Sequence, residues 1–503
     1  MTAKPDMAGF ASKAELEQYR RAREGFLLGR IHADHGVNFE ASISDERHIF
    51  IVAGSRAGKG TSMILPNLLA WKGGVFAIDP KGESASISAM RRGPQEGAKG
   101  TGTAVRPPHF MEQRVAILDP LGTVRGPARK YRISYNPLND IDTQSDSCAA
   151  QILGIAEANV ISETSADSHF TESAVTILAG LIEAVVQKER DPQKRTLTHC
   201  RSIALRGIDS IKDYLEDAPS TPAALADEAF GLLLSVGEDE GGSFLSTLSR
   251  QLKWIADPRM QTHLSGGAFS LVQAIREQST IYVCLPPARI PGMKRWLRTI
   301  VRIALEAKMD SPFEHSGQQT LFLLDEFYAL GHFPLIEEAA AYMAGYGIKL
   351  APVIQNIGQL KKLYGPNWET FLGNAGAVIG WGLNDHETEQ YFSDRLGKTM
   401  QWEQSFSESR SPSVDGFTST SKSRSENQAL RERSVRWSNE IHFEGARRTM
   451  KAFIVTADGR PFIVERVNYM QNDGANMFDS PDHIKAWEEQ NAAKAGLIPK
   501  ARE

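Results

Sequence analysis

At 503 residues the chain is longer than one ordinary hydrophobic core can serve, so two or three domains are expected. Hydrophobic residues at 41% and charged residues at 23% are the proportions of a soluble globular protein. A formal net charge of -4 carries no global nucleic-acid signal, so any nucleic-acid surface must be local.

The polar N-terminus lacks the apolar core of a signal peptide, and residues 13–31 read as a charged amphipathic helix. Ile49, Phe50, Ile51 and Val52 then form a continuous apolar run, the pattern of a strand buried on both faces. Small residues follow (Ala53, Gly54, Ser55, Arg56, Ala57, Gly58), then Lys59, then a helical pattern through Met63, Ile64, Leu65, Leu68 and Leu69. Strand, Gly-rich turn, lysine and helix make up a phosphate-binding P-loop. Backbone N–H groups wrap the polyphosphate and the lysine reaches its outer phosphates. Ala53 stands where the general pattern has its first glycine. Gly60 stands where a hydroxyl would bind Mg2+, leaving Thr61 or Ser62 to supply one. Pro66 predicts a kink or an early end to the helix.

A second buried strand, 75–78, runs into Asp79-Pro80-Lys81-Gly82-Glu83, on the sheet edge where parallel strands present ligands. Residues 91–132 are basic and turn-rich, with Lys99, Arg106, Arg125, Arg129, Lys130 and Arg132 among them, and a strand at 115–118 passes through. From about 140 to 270 strand signals vanish and helical periodicity takes over, at 174–186, 203–215, 223–236 and 244–255. That stretch reads as an inserted all-helical domain. Its longest apolar run, 174–186, is short for a bilayer and carries Glu183, so no transmembrane segment is expected. Cys148, Cys200 and Cys284 match no disulfide or zinc spacing, which points to a reducing compartment.

Strand signals return at 280–285, and a helix is expected over 293–308. Leu321, Phe322, Leu323 and Leu324 then end in Asp325-Glu326. Asp325 is suited to hold Mg2+ and Glu326 to polarise the water that attacks the γ-phosphate of ATP. A strand at 348–354 delivers Gln355 to the same edge, where an amide can sense that phosphate. Further strands are expected at 377–382 and 452–455. Residues 403–427, Ser-rich and without periodicity, read as a mobile loop.

These blocks, in this order, resemble one family: the coupling-protein ATPases of conjugative DNA transfer and type IV secretion, in their TraG-like branch. The resemblance rests on Ala53 to Thr61, Asp79 to Glu83, LLDEFYALG (323–331), GYGIKLAPVIQNIGQLKKLYG (345–365) and Asn374-Ala375-Gly376, and covers roughly 25–475. In that family a glycine follows the P-loop lysine, so Gly60 is no departure. The resemblance implies a RecA-like α/β nucleotide-binding domain interrupted by an all-α domain, assembled as a homo-hexamer around a channel. It implies nucleotide contacts from Gly54, Ser55, Arg56, Ala57, Gly58, Lys59, Gly60, Thr61 and Ser62. By position, Asp325 and Thr61 would hold Mg2+, and Lys59, Asp325, Glu326 and Gln355 would be catalytic. The partners it implies are DNA with its relaxase and the components of a type IV secretion channel.

On this reading 1–30 is an N-terminal helical extension, 31–140 and 271–475 are the two parts of the nucleotide-binding domain, 141–270 is the insertion and 476–503 a tail. Two departures stand out. Family members usually begin with two membrane helices, whereas this sequence has none, so a cytoplasmic location with membrane docking only through partners is expected. The trans-acting arginine of some relatives is replaced around Ala344 and Gly345, leaving Arg395, Arg298 and Arg250 as candidates. An FtsK/HerA-like DNA pump and a weakly hydrolysing substrate receptor are the alternative functions.

Overall fold

The strands that carry the motifs lie side by side because their apolar runs bury both faces. The structure, a computed structural model, describes residues 10–20, 25–31, 38–94, 111–161, 168–310, 319–411 and 421–471. In chain order its strands are β1 (Phe26–Ile31), β2 (Phe39–Ile43), β3 (His48–Ala53), β4 (Val75–Ile78), β5 (Val115–Leu118), β6 (Arg132–Ile133) and β7 (Thr280–Val283). There follow β8 (Thr320–Leu324), β9 (Ile348–Ile354), β10 (Ala375–Trp381), β11 (Lys398–Ser411), β12 (Ser421–Ser434), β13 (Lys451–Thr456) and β14 (Phe462–Glu465). Twelve form one sheet in the order β2-β1-β14-β13-β10-β3-β9-β8-β4-β7-β5-β6, and β11 pairs only with β12. From β10 to β6 the neighbours are parallel; β13, β14, β1 and β2 extend the sheet antiparallel.

Alternate residues of each central strand feed opposite layers. Phe50, Val52, Phe76, Ile78, Phe322 and Leu324 join one apolar cluster. Ile49, Ile51, Val75, Ala77, Leu321 and Leu323 join the other. Burial on both sides is why these strands read as unbroken apolar runs. Registers then align the strand ends: Ile78 lies opposite Leu324, Leu324 opposite Pro352, and Val52 opposite Ile354. The residues that follow (Gly54, Asp79, Asp325, Gln355) emerge on one rim.

Between β6 and β7 the described residues contain helices and no strand: Cys148–Asn159, Ser168–Lys188, Leu197–Ala204, Ile208–Glu216, Leu225–Ser235, Glu238–Gln251, Pro258–Leu264 and Leu271–Arg276. Their apolar faces are continuous with the cluster on one face of the sheet. Helix Ser168–Lys188 is long and apolar enough to cross a bilayer, but 72% of its apolar window is buried among its neighbours. Glu183 within it is satisfied by Thr221 Oγ1 (2.5 Å) and the Ala226 N–H (2.7 Å).

The structure corrects several expectations. The helix expected over 13–31 is confined to Lys13–Glu17, capped by Ser12 and Glu15, and Phe26–Ile31 is a strand of the main sheet. Gly25 and Gly29 favour that change, because a Cβ at Gly29 would meet the backbone of β14 and its φ is +149°. The single helix expected over 203–215 is two helices broken at Gly207, whose φ is +105°. Of the mobile loop expected over 403–427, residues 403–411 and 421–427 belong to β11 and β12, which pair in register from Lys398–Ser434 to Ser411–Ser421, and 412–420 lie outside the described residues. Only Met400, Trp402, Phe406, Ala429 and Leu430 are apolar in the two strands, too sparse an alternation by which to recognise them. The expected tail at 476–503, and Lys99 and Arg106, lie outside the described residues.

Candidate functional site

β3 ends at Ala53, and the chain turns through Arg56 (φ +58°) and Gly58 (φ +85°) before entering a helix. The turn is pinned by the Ala57 N–H on the Gly54 carbonyl (3.2 Å) and the Ser62 N–H on the Gly58 carbonyl (3.0 Å). Residues Gly60–Ile64 form a wide turn in which the Leu65 N–H reaches the Gly60 carbonyl, and helix Leu65–Ala70 continues from it with Pro66 in its first turn. The proline, lacking an N–H, is accommodated by this widening, and the helix ends four residues later.

Gly54 is irreplaceable on steric grounds. A Cβ there would overlap the carbonyl oxygen of Gly382, just past β10. A Cβ on Gly382 (φ +59°) would in turn stand 2.5 Å from the Cβ of Ala57. The loop therefore rests on a backbone shelf. By contrast, a Cβ on Gly60 would meet open space. Thr61 is exposed and its hydroxyl donates to the Gly58 carbonyl at 3.2 Å. Ser62 is 4% exposed, and its hydroxyl, which donates to the same carbonyl at 2.8 Å, lies behind the loop.

The two distant motifs meet. Lys59 Nζ lies 3.8 Å from Asp325 Oδ1 and 3.7 Å from Glu326 Oε1. Glu326 takes a left-handed backbone conformation (φ +57°), a strained choice for a non-glycine residue, and its N–H donates to Asp325 Oδ1 at 3.0 Å. Burial raises the Asp325 pKa, Lys59 opposes that rise and Glu326 adds to it. Asp79, wholly buried one strand further on, is pushed up to about 7 by burial, with the charges of Asp325 and Glu83 contributing. Its Oδ2 accepts the Ala85 N–H (2.8 Å) in the first turn of helix Glu83–Arg92.

Gln355 leaves β9 between the P-loop strand and the Asp325 strand. Its N–H donates to Gln359 Oε1 (2.9 Å), and its side-chain amide has no partner among the described residues. Of the arginines weighed as trans-acting groups, Arg298 is buried and committed: it donates to the Leu330 and His332 carbonyls and lies over Phe333. Arg250 and Arg395 are exposed.

A rim where two carboxylates (Asp325, Glu326) face Lys59 suits a cation bound jointly with a polyanion. Mg2+ typically takes one or two protein oxygens and fills its shell with water and phosphate oxygens. Among the described residues no cluster of three His, Cys, Asp or Glu side chains is placed to hold a metal ion. Sequence reading missed Trp381, Gly382 and Arg466, which brace the loop from behind. The Trp-Gly pair ending an apolar run was a legible signal of a close turn, whereas Arg466 had none.

Comparison with known proteins adds three findings. The sequence profile of the family described as type IV secretory system conjugative DNA transfer matches residues 9–473. The conjugal transfer protein TraG of Escherichia coli is 26% identical over 396 residues, which is 75% of this chain and 59% of that protein. Protein VirD4 of Agrobacterium fabrum is 25% identical over 387 residues, 76% of this chain and 54% of that protein. The chain thus spans between half and three-fifths of the length of these curated relatives. Among solved structures, plasmid coupling protein TrwB in complex with a non-hydrolysable ATP analogue superimposes with a TM-score of 0.63 at 13% identity, covering 92% of this chain and 94% of that one. The same protein in complex with ADP and Mg2+ gives the same score at 13% identity, over 93% and 95% of the two chains. The fold is that of these structures: a RecA-like α/β sheet with a helical insertion.

Proposed function

The chain belongs to the type IV secretory system conjugative DNA transfer family, and from that premise we propose that it is a coupling protein that hydrolyses ATP to deliver DNA, or a protein–DNA complex, to a secretion channel. The observation that carries the reading is the 3.7–3.8 Å approach of Lys59 to Glu326 and Asp325 across a large sequence separation. The nucleotide-bound TrwB structures share this fold, which supports ATP and Mg2+ as the ligands.

In this mechanism the turn from Gly54 to Thr61 and the start of the following helix present backbone N–H groups to the phosphates. Lys59 neutralises the outer phosphates and is drawn to them from its two carboxylates. Asp325 and Thr61 would hold Mg2+, which when bound neutralises charge developing on the transferred phosphoryl group. Ser62, tied behind the loop, acts on the loop and not on the metal. Glu326 accepts a proton from the attacking water. Gln355, whose side-chain amide has no partner among the described residues, reports the presence of the γ-phosphate to β9. The nucleotide-binding domain on this proposal comprises 31–140 and 271–475, and the 141–270 insertion meets the substrate.

We further propose that the working form is a six-membered ring engaging DNA with its relaxase, and that contact with the membrane is made through secretion-channel partners. The test is ATP turnover measured against protein concentration, with and without single- and double-stranded DNA. Turnover per chain that rises steeply with concentration and is stimulated by DNA is the expected result. Turnover that is absent at concentrations permitting assembly would contradict the motor and leave a substrate receptor.

A further inference from the structure

Arg466, the residue after β14, is 2% exposed. Its Nη1 donates to the Ala57 carbonyl oxygen at 3.0 Å and to Ser62 Oγ at 3.1 Å, and its Nη2 donates to the Arg447 carbonyl at 2.9 Å. The guanidinium lies 5.3 Å from the centre of the Trp381 ring. Trp381 Nε1 donates to the same Ala57 oxygen, also at 3.0 Å. Burial lowers the Arg466 pKa to about 10, which leaves it charged at neutral pH. Among the described residues no carboxylate pairs with it, and its Nε has no partner.

Two consequences follow from elementary geometry and electrostatics. A trans peptide is planar, so the Ala57 oxygen and the Gly58 N–H point to opposite sides. With the oxygen held from behind by two donors, the Gly58 N–H is turned toward the open side of the loop. Secondly, a buried guanidinium without a counter-charge is costly, and the cost falls when an anion arrives nearby. The open side of a P-loop is where a polyphosphate sits.

We propose that Arg466 is a positioning residue for the nucleotide polyphosphate, holding the Ala57–Gly58 peptide with its N–H toward the phosphates and supplying a second positive charge beneath the loop. This rests on the nucleotide-binding reading above. It also makes the last strand of the sheet part of the site. The same guanidinium holds the Arg447 carbonyl, and the Arg466 backbone N–H reaches the Met450 carbonyl (2.6 Å), so β14, the 447–450 turn and the P-loop are joined through one residue.

The test is titration of fluorescent ATP and ADP analogues into the full chain and its Arg466→Ala, Arg466→Lys and Glu326→Gln variants, alongside KM and kcat. Arg466→Ala is expected to weaken ATP and ADP alike by roughly tenfold or more, the scale of losing charge-assisted hydrogen bonds. Millimolar guanidinium should restore much of that affinity, and KM should rise more than kcat falls. Arg466→Lys keeps the charge but cannot span three acceptors, so its affinity should be intermediate. A purely structural role would instead lower thermal stability and the number of binding-competent chains while leaving the affinity of the remainder unchanged, and that result overturns the proposal. Should Arg466→Ala fail to fold, Trp381→Phe removes one of the two donors to Ala57: severalfold weaker binding supports the proposal and unchanged binding overturns it. Wild-type protein that binds neither nucleotide would bring down the nucleotide-binding reading itself, a different outcome from unaltered binding by the variants.

Discussion

Two lysines on opposite rims of the sheet show what separates a structural charge from a working one. On the N-terminal rim, Lys349 of β9 is fully buried. Its Nζ donates to the Asp45 and Arg47 carbonyls at 2.7 and 2.8 Å, with Asp45 Oδ1 at 3.8 Å. Burial lowers its pKa to about 8. On the C-terminal rim, Lys59 faces two carboxylates at 3.7 and 3.8 Å, beyond hydrogen-bond reach, and donates no hydrogen bond among the described residues. The first lysine has committed its donors to its own chain, while the second holds them in reserve. A ligand can be recruited only where donors are held in reserve.

Substitutions on the two rims should therefore separate cleanly. The largest effect is expected from Lys59→Ala, which should cut ATP turnover at least roughly a hundredfold with little change in stability. Lys349→Met should do the reverse: two part-buried carbonyl oxygens lose their donor, costing about 1–3 kcal/mol in a urea melt, with turnover per folded chain unchanged. If Lys349→Met abolished turnover in a folded protein, the distinction would fail.

Glycines offer a second, smaller contrast. Gly54→Ala forces a Cβ against the Gly382 backbone, which cannot step aside, so nucleotide binding should be lost in a chain that still folds. Gly376→Ala, at the start of β10, meets chiefly the carboxylate oxygens of Asp45 at 2.8 and 2.9 Å. That side chain can shift, so a stability loss of about 1–2 kcal/mol with normal binding is expected. Equal binding defects in the two variants would argue against a dedicated nucleotide rim.

A last effect, on stability alone, concerns pH. His48 on the N-terminal rim has its Nε2 2.8 Å from the Ala339 carbonyl and its Nδ1 3.2 Å from the Leu350 N–H. The neutral ring satisfies both, and burial lowers its pKa to about 4. The unfolded chain binds this proton near pH 6.5, so stability is intact above that value and falls as pH drops toward 4. The expected loss is about 2 kcal/mol by pH 5, and His48→Gln should flatten that part of the profile. An unaltered slope in the variant would assign the acid sensitivity elsewhere.

Much of the C-terminal rim was legible in the primary chain, because strands buried on both faces must be apolar along their whole length. The runs at 49–52, 75–78, 115–118 and 321–324 advertised themselves for that reason, as did the small-residue turn after the first and the aspartates that end the other three. β1, β2 and β14 were not legible. They lie on the antiparallel flank, where β1 and β2 begin within polar, charged sequence and β14 ends in Glu465 with two of its four residues only half-buried. Arg466 was invisible for a different reason: nothing distinguishes a lone arginine near the end of a chain until folding buries it beneath Ala57. The β11–β12 pair escaped notice because nearly every residue in it is polar.

The central claim is that triphosphate cleavage occurs where Lys59 and the Asp325–Glu326 pair converge. The most direct measurement is single-turnover ATP hydrolysis by Glu326→Gln, with ATP binding followed in the same samples. Binding close to wild type with hydrolysis slowed by roughly two to four orders of magnitude is the predicted result. Hydrolysis at the wild-type rate would contradict the account.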